Sequence, residues 1–488
     1  MPYFGASPSS ELANLDINGQ KLILDADADT SITSDTDDQI DVEISGADDF
    51  RFTANTLTAL SGSTIAANTI AETTAGSGVT IDGLLIKDTT AAFADGAVTT
   101  PSITNTGDLN TGVYFPAADT VGVTAGGTEQ FRFGSNPIPG GGKNLLINGS
   151  MAIAQRSTQT GQGGSSAYSA CDRWFVLSEG SPQGRVTTTQ TADTNMNLNG
   201  HEYTLKVDCT TAESAVGAAE GIVIQQKIEG HNLQGLKYGT ANAEEVTLSF
   251  WFSSPKTGIH CAGIYLSDTA YSQVKEFTIA SANTWEYFSL TFSANTSNKI
   301  NNDTGSGMIV SFPLVAGSNF QVTADQWASG DDFTTSNQQN LLDNTANNVS
   351  LAGVQLEIGS VATSFAYEDI GTTLQKCRRY FERIGPDEGS EEGIVGAGMA
   401  YGATTGFIVI NYIEKRALPT ISVGDATKFY VQTSGSSLAT SAVSGSRGSR
   451  DKSGLSITFG SGATADEAIH MRNKGGESSG YIDINSEL

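Results

Sequence analysis

Charge is scarce in this chain. Of 488 residues only 16% are Asp, Glu, Lys or Arg, and those few are unbalanced, with 26 basic against 53 acidic. A formal charge of −27 has the wrong sign for a nucleic-acid binder or for a protein drawn to anionic lipid, so no nucleic-acid partner is expected. Long apolar runs are missing too. The longest, such as Phe407-Ile408-Val409-Ile410, fall far short of a membrane span, and no membrane insertion is expected. Met1-Pro2-Tyr3-Phe4-Gly5 offers neither a basic nor an apolar stretch, so no signal peptide is expected there. Cysteine is limited to Cys171, Cys209, Cys261 and Cys377, too widely spaced for a disulfide framework or a zinc site. They read as buried free thiols of a protein assembled in a reducing cytoplasm.

Residues of catalytic character are also few. His201, His231, His260 and His470 are the whole histidine complement, and none has metal-motif spacing. No G-x-S-x-G elbow and no phosphate-cradling loop occurs. The expectation is no enzyme, no cofactor and no metal. Asp and Glu are frequent enough that a glycan-degrading spike, which needs two carboxylates across a cleft, stays as an alternative.

What the chain does have is glycine, 55 residues of it, together with much Ser and Thr. Short runs of Val, Ile, Thr and Phe separated by Gly, Asn, Asp and Ser read as strands and turns, so the fold class is all-β. At this length three or four domains are expected. Residues 1–134 hold 4 basic against 19 acidic side chains, lack Trp and Cys, and carry few large apolar residues. One chain cannot bury a core from so little, which leaves disorder or a core shared between identical chains. Regularly placed turns favour sharing, in an elongated homotrimer with this region as a β-rich shaft. An internal echo points the same way. Asp38-Gln39-Ile40-Asp41-Val42 with Gly46 and Phe50-Arg51-Phe52 recurs, 81 residues on, as Asp119-Thr120-Val121-Gly122-Val123 with Gly127 and Phe131-Arg132-Phe133. Each copy predicts two short strands meeting at a turn.

Residues 135–142 form a Gly/Pro linker, after which the texture changes. In Val246-Thr247-Leu248-Ser249-Phe250-Trp251-Phe252 the alternation puts Val246, Leu248, Phe250 and Phe252 on one face; in residues 286–292 the inward set is Phe288, Leu290 and Phe292. With further strands at 202–207, 308–312 and 349–357, residues 143–368 read as a jelly-roll β-sandwich. Ile370, Leu374, Cys377, Phe381 and Ile384 follow at coiled-coil spacing. They predict one helical junction over 369–385, either paired with its copies or packed on the sandwich. A second linker at 386–393 leads to a β-rich tip at 394–488, with strands expected at 407–413, 420–423, 429–432, 455–459 and 480–485.

Sugar recognition requires an exposed aromatic ring with hydrogen-bonding neighbours. Trp327 lies in the polar stretch Asp325-Gln326-Trp327-Ala328-Ser329-Gly330-Asp331-Asp332 and is the leading candidate, with a loop anchor as the plainer reading. Trp251 points away from the apolar face of its strand, and Tyr401 and Tyr430 belong to the tip. Trp174 reads as core and Trp285 as a rim or packing residue. Asp25-Ala26-Asp27-Ala28-Asp29 begins like a calcium loop, but Thr30 and Thr36 stand where that motif needs Gly and Glu, so it reads as a solvated turn.

Several stretches resemble tail fibres of marine bacteriophages of the cyanophage type. They are Leu15-Asp16-Ile17-Asn18-Gly19 through Ile32, Asn110-Thr111-Gly112-Val113-Tyr114-Phe115-Pro116, Asn144-Leu145-Leu146-Ile147-Asn148-Gly149 with Asp172-Arg173-Trp174, Gly353-Val354-Gln355-Leu356-Glu357-Ile358-Gly359, Cys377-Arg378-Arg379-Tyr380-Phe381, and the closing 480–488. The resemblance implies a homotrimeric receptor-binding fibre whose sandwich resembles a carbohydrate-binding module. It further implies a virion location after assembly in the host cytoplasm, an N-terminal contact to a virion tail or baseplate protein, and a host cell-surface polysaccharide as partner. A structural capsid or baseplate fibre without a receptor role is the rival expectation.

Overall fold

The computed structural model describes residues 19–66, 93–133, 144–197, 199–385, 393–475 and 479–488. Both expected linkers, apart from residue 393, and residues 1–18 lie outside them. The chain divides into two compact units, Met1–Phe93 and Ala94–Leu488, so the division falls inside the region expected to be a single shaft. Every sheet is antiparallel and the fold is all-β.

The sequence echo is a duplicated four-stranded module. In the first unit Leu22–Ile23, Ser31–Thr33, Ile40–Ile44 and Ala47–Thr53 form a meander, extended by Thr56–Ala59. In the second unit Ile103–Asn105, Asp108–Tyr114, Val121–Ala125 and Thr128–Phe133 repeat it. Registers match residue for residue at the same offset: Ile40 faces Phe52 as Val121 faces Phe133, and Ile32 faces Val42 as Val113 faces Val123. Even the register shift recurs, at Val42/Glu43 and at Val123/Thr124. The turns repeat as well, with left-handed backbone at Ser45-Gly46 and at Gly126-Gly127, the geometry that two-residue hairpins demand.

Residues 144–358 build the sandwich. One sheet orders Gln159–Gln162, Arg185–Ala192, Tyr203–Thr211, Asn348–Ile358, Val246–Ser253 and Glu286–Phe292. The other orders Ala167–Tyr168, Phe175–Glu179, Gly221–Glu229, Ser306–Ala316, Gly258–Leu266, Tyr271–Ile279 and Trp327–Ser329. The alternation in the sequence is what fills the core. Val246, Leu248, Phe250, Phe252 and Phe292 are buried between the sheets, and Phe288 and Leu290 pack against them. Phe250 sits among Phe277, Phe288 and Phe312 at ring separations of 5.1, 5.6 and 4.9 Å. Trp174 is fully buried, as its sequence context implies, and all four cysteines are buried and free.

The junction differs from expectation. The helix covers only Ile370–Arg378; Phe381 and Ile384 belong to a strand, Phe381–Ile384, that pairs with Ile482–Asn485. Along the junction Thr373, Cys377, Tyr380, Phe381 and Glu382 are buried while Ile370 is exposed, and with Phe381 and Ile384 in a strand the helical seam does not form within the chain. Asp369 caps the helix start by accepting from the Thr372 N–H. Its end is fixed by Arg379, which reaches Glu229 through two hydrogen bonds of 3.0 and 2.9 Å.

The tip is a closed six-stranded barrel of Ile394–Ala400, Thr405–Asn411, Lys452–Phe459, Ser437–Gly448, Phe429–Gln432 and Ala468–Asn473. Three of these strands escape sequence reading because Gly, Ser and Ala dominate two of them and the third carries His and Arg. The small residues are needed for close strand approach: a Cβ on Gly398, in Ile394–Ala400, would lie 1.8 Å from the Phe407 carbonyl oxygen.

Sandwich and barrel are joined by buried ions. The Glu487 carboxylate takes the Arg156 guanidinium at 3.1 Å and pairs with Arg173, and both arginines are nine-tenths buried or more. The Arg173 guanidinium lies 3.5 Å over the Tyr380 ring, and that of Arg156 lies 3.5 Å over Phe381. Removing one member of such a group strands the others without water. Glu487→Gln is therefore expected to cost about 3–5 kcal/mol. In differential scanning calorimetry it should split a joint sandwich–barrel transition into two; an unchanged thermogram contradicts the coupling.

Candidate binding site

The outer face of the six-stranded sheet carries a hollow of about 370 Å³. Its floor comes from three neighbouring strands. Trp251 and Tyr287 face each other directly across Val246–Ser253 and Glu286–Phe292, rings 5.3 Å apart, both on the side away from the core. Tyr287 is 46% exposed and Trp251 is half-buried. Beside Trp251, the strand Asn348–Ile358 carries one residue more than its partner between Ser249 and Trp251, a β-bulge with Gly353 at φ +56°.

That bulge makes room for His201. A Cβ on Gly353 would stand 2.4 Å from His201 Nε2, so only glycine allows the imidazole to lie against the sheet. The ring stacks 5.6 Å from Tyr367 and meets Phe365 edge-on at 4.7 Å. Burial pushes the His201 imidazole below its ordinary pKa, so it is neutral at pH 7. Among the described residues its buried Nδ1 has no hydrogen-bond partner.

Residues 363–367 form the wall, and two outward-facing polar side chains of the strand hold them. Glu357 accepts from the Thr363 N–H at 2.8 Å and its hydroxyl at 2.6 Å; Gln355 accepts from the Ala366 N–H at 2.7 Å. The Tyr367 hydroxyl donates to the Asn199 carbonyl at 3.3 Å, which closes the rim. Beyond Phe365 and Tyr367 a smaller hollow of about 220 Å³ opens beside Ser150 and the paired Lys376 and Glu368. Flat aromatic faces with hydroxyl, imidazole and backbone groups between them suit a ligand that has both C–H faces and hydroxyl groups.

Of the four aromatic residues singled out from the sequence, Trp251 alone lies in this hollow. Trp327 opens a short strand rather than sitting in an irregular loop. Its indole N–H donates to the Ser293 carbonyl at 2.9 Å, and its ring meets Tyr238 edge-on at the margin of the core. Tyr401 and Tyr430 are on the barrel. Tyr401 is 60% exposed and stacks on Phe407; Tyr430 has the Lys474 ammonium 4.7 Å above its ring. Trp285 donates to Asp193 at 3.1 Å. Sequence reading passed over Tyr287, although it stands out of phase with the apolar face of its strand as Trp251 does. His201, Phe365 and Tyr367 had no comparable signal. Asp25, Asp27 and Asp29 do gather their carboxylate oxygens within 4.8 Å, on an exposed turn that the Thr30 N–H closes onto Asp25 at 3.2 Å.

No protein-family model and no curated protein matches the chain. Among solved structures it is similar to the enzymatically active domain of tailspike protein 4 of bacteriophage CBA120, at 12% identity and TM-score 0.23. That match covers 44% of this chain and 21% of the tailspike chain. A structure described as CBM4 shares 13% identity over 43% of this chain and 97% of its own, at TM-score 0.23. A putative sugar-binding protein from Bacteroides thetaiotaomicron shares 14% over 44% and 99%, at TM-score 0.25. Likenesses this distant assign neither a ligand nor an activity to this chain.

Gly353→Ala tests the floor. It forces a left-handed alanine against His201 and is expected to cost about 1–3 kcal/mol, read as a lower urea midpoint. A midpoint equal to the parent's would mean that the bulge relaxes freely.

Proposed function

We propose that the chain is a glycan-binding subunit of a bacteriophage tail fibre, which attaches the virion to host cell-surface polysaccharide through the outer sheet face of its sandwich. The observation that carries this reading is the hollow itself: Trp251, Tyr287 and Tyr367 present aromatic surface around the buried polar side chains Ser249 and His201. Among the described residues no Asp or Glu lines it, whereas hydrolysis of a glycosidic bond needs a pair of carboxylates, so binding is favoured over cleavage. A purely structural fibre would have no use for aromatic rings held open around a buried imidazole on that face.

The duplicated module supports assembly as a homotrimer. Cross-strand neighbours Leu22, Ile32, Val42, Phe50 and Ala59 form one apolar row, and Ile40, Phe52 and Leu57 a second. Much of this face is exposed in the single chain, with Leu22 at 42%, Ile40 at 47% and Leu57 at 49%, whereas Ser31, Asp41 and Glu43 on the opposite face are covered. The second copy keeps the apolar face as Ile103, Val113, Val121, Val123, Phe131 and Phe133. Its other face changes, with Thr33, Asp41 and Glu43 replaced by Tyr114, Gly122 and Thr124. A face that faced only water would drift, and this one has stayed apolar. Sister chains are the partner that fits, and three linked sites raise avidity without new contacts. The region N-terminal to the module would meet the virion tail or baseplate protein.

Two measurements test this reading. Trp251→Ala should weaken binding of the purified protein to host-cell polysaccharide about 10–100-fold while leaving the fold intact; retained binding removes the site from contention. Sedimentation should give three times 50.8 kDa for the parent, and a smaller species for Phe52→Asp combined with Phe133→Asp. A parent that sediments as a single chain at micromolar concentration rejects the trimer.

A further inference from the structure

The hollow discriminates by charge. Among the described residues its walls hold no Asp, Glu, Lys or Arg, and its imidazole, His201, is neutral at pH 7. The nearest carboxylate beneath the wall, Glu357, is only 4% exposed and is spent on Thr363 and Gln355. Lys376, in the adjoining smaller hollow, is paired with Glu368. No cation is therefore placed to receive an anionic group.

The polar atoms that the hollow does offer are suited to uncharged hydroxyls. Ser249 and His201 are each 3% exposed, and both line the hollow. Among the described residues His201 Nδ1 is buried with no hydrogen-bond partner, and the Ser249 side chain lines the hollow beside it. Buried polar groups without partners are uncommon, and a ligand hydroxyl or a water completes them. A carboxylate, sulfate or phosphate brought against Trp251 and Tyr287 would lose its hydration with no compensating charge. The field of the whole chain adds to this, since a formal charge of −27 repels anions before they arrive.

Resting on the glycan-binding reading above, we infer that this hollow selects uncharged sugar units, hexoses or deoxyhexoses, and rejects uronate, sulfated and phosphorylated ones. The neutral ring stacks on Trp251 and Tyr287, and its hydroxyls meet Ser249 and His201. The next unit of the chain passes Tyr367 toward the smaller hollow by Ser150.

The full-length protein applied to a printed panel of neutral oligosaccharides, each spotted beside its uronate counterpart, provides the test. Selected pairs are then titrated by calorimetry at low and at physiological salt. The expected result is binding to at least one neutral scaffold, at least tenfold weaker binding to its uronate form at both salt concentrations, and loss of the neutral binding in Trp251→Ala. Ser249→Ala, checked for an unchanged melting temperature, should weaken the neutral ligand several-fold. Equal or tighter binding of the uronate form, abolished by Trp251→Ala, overturns the charge selectivity and leaves the glycan site standing. Absence of binding to every member of the panel overturns the glycan reading and the selectivity with it.

Discussion

A carboxylate without water must be surrounded by its own cations, and Glu487 finds them in Arg156 and Arg173. Arg156 and Arg173 come from the start of the sandwich, Tyr380 and Phe381 from the junction, and Glu487 from the far end of the chain. Arg173 adopts φ +73°, a backbone state that a bulky residue holds only when its surroundings leave no alternative. Its guanidinium also donates to the Lys227 carbonyl at 2.7 Å, which ties the knot to the seven-stranded sheet. Buried ion groups add little net stability over an apolar replacement, but their geometry is demanding. Here that demand holds the strand Phe381–Ile384, and its partner Ile482–Asn485, against the sandwich.

The same logic of unmet groups runs through the candidate site. The sandwich core needs only one face of the strand Val246–Ser253. The other face is free to carry Trp251 and Ser249, and Gln355 and Glu357 on the neighbouring strand are free to hold a wall of loop in place. The bulge at Gly353 then lets His201 sink against the sheet. The residues of the hollow thus sit where the core makes no demand, on strands whose other face the core holds.

The repeated module inverts the usual pattern, because its polar side is covered and its apolar side is open. Coupled changes on the covered side show that each copy closes it independently. Asp41 pairs with Arg51 in the first copy, whereas in the second Gly122 leaves space for the Tyr114 ring and Arg132 turns to Glu129 at 2.7 Å. The open side keeps its apolar residues in both copies.

Period-two alternation determined by itself that the chain is β-structured, which residues of the sandwich point inward, and that one module occurs twice, because each of these is a property of neighbours along a strand. It also placed Trp251 on the solvent side of its strand, and the same reasoning reaches Tyr287. It could not find the barrel strands made of Gly, Ser and Ala, whose strand character comes from ring closure rather than side-chain pattern. Nor could it separate Trp327, whose N–H and ring are consumed by Ser293 and Tyr238, from an open platform. The joining of His201, Ser249 and Tyr367 into one hollow, and of Arg156, Arg173 and Glu487 into one buried knot, was decided by tertiary structure alone. Those residues lie far apart in the chain, and only cross-strand register and the low polarity of the interior make them neighbours.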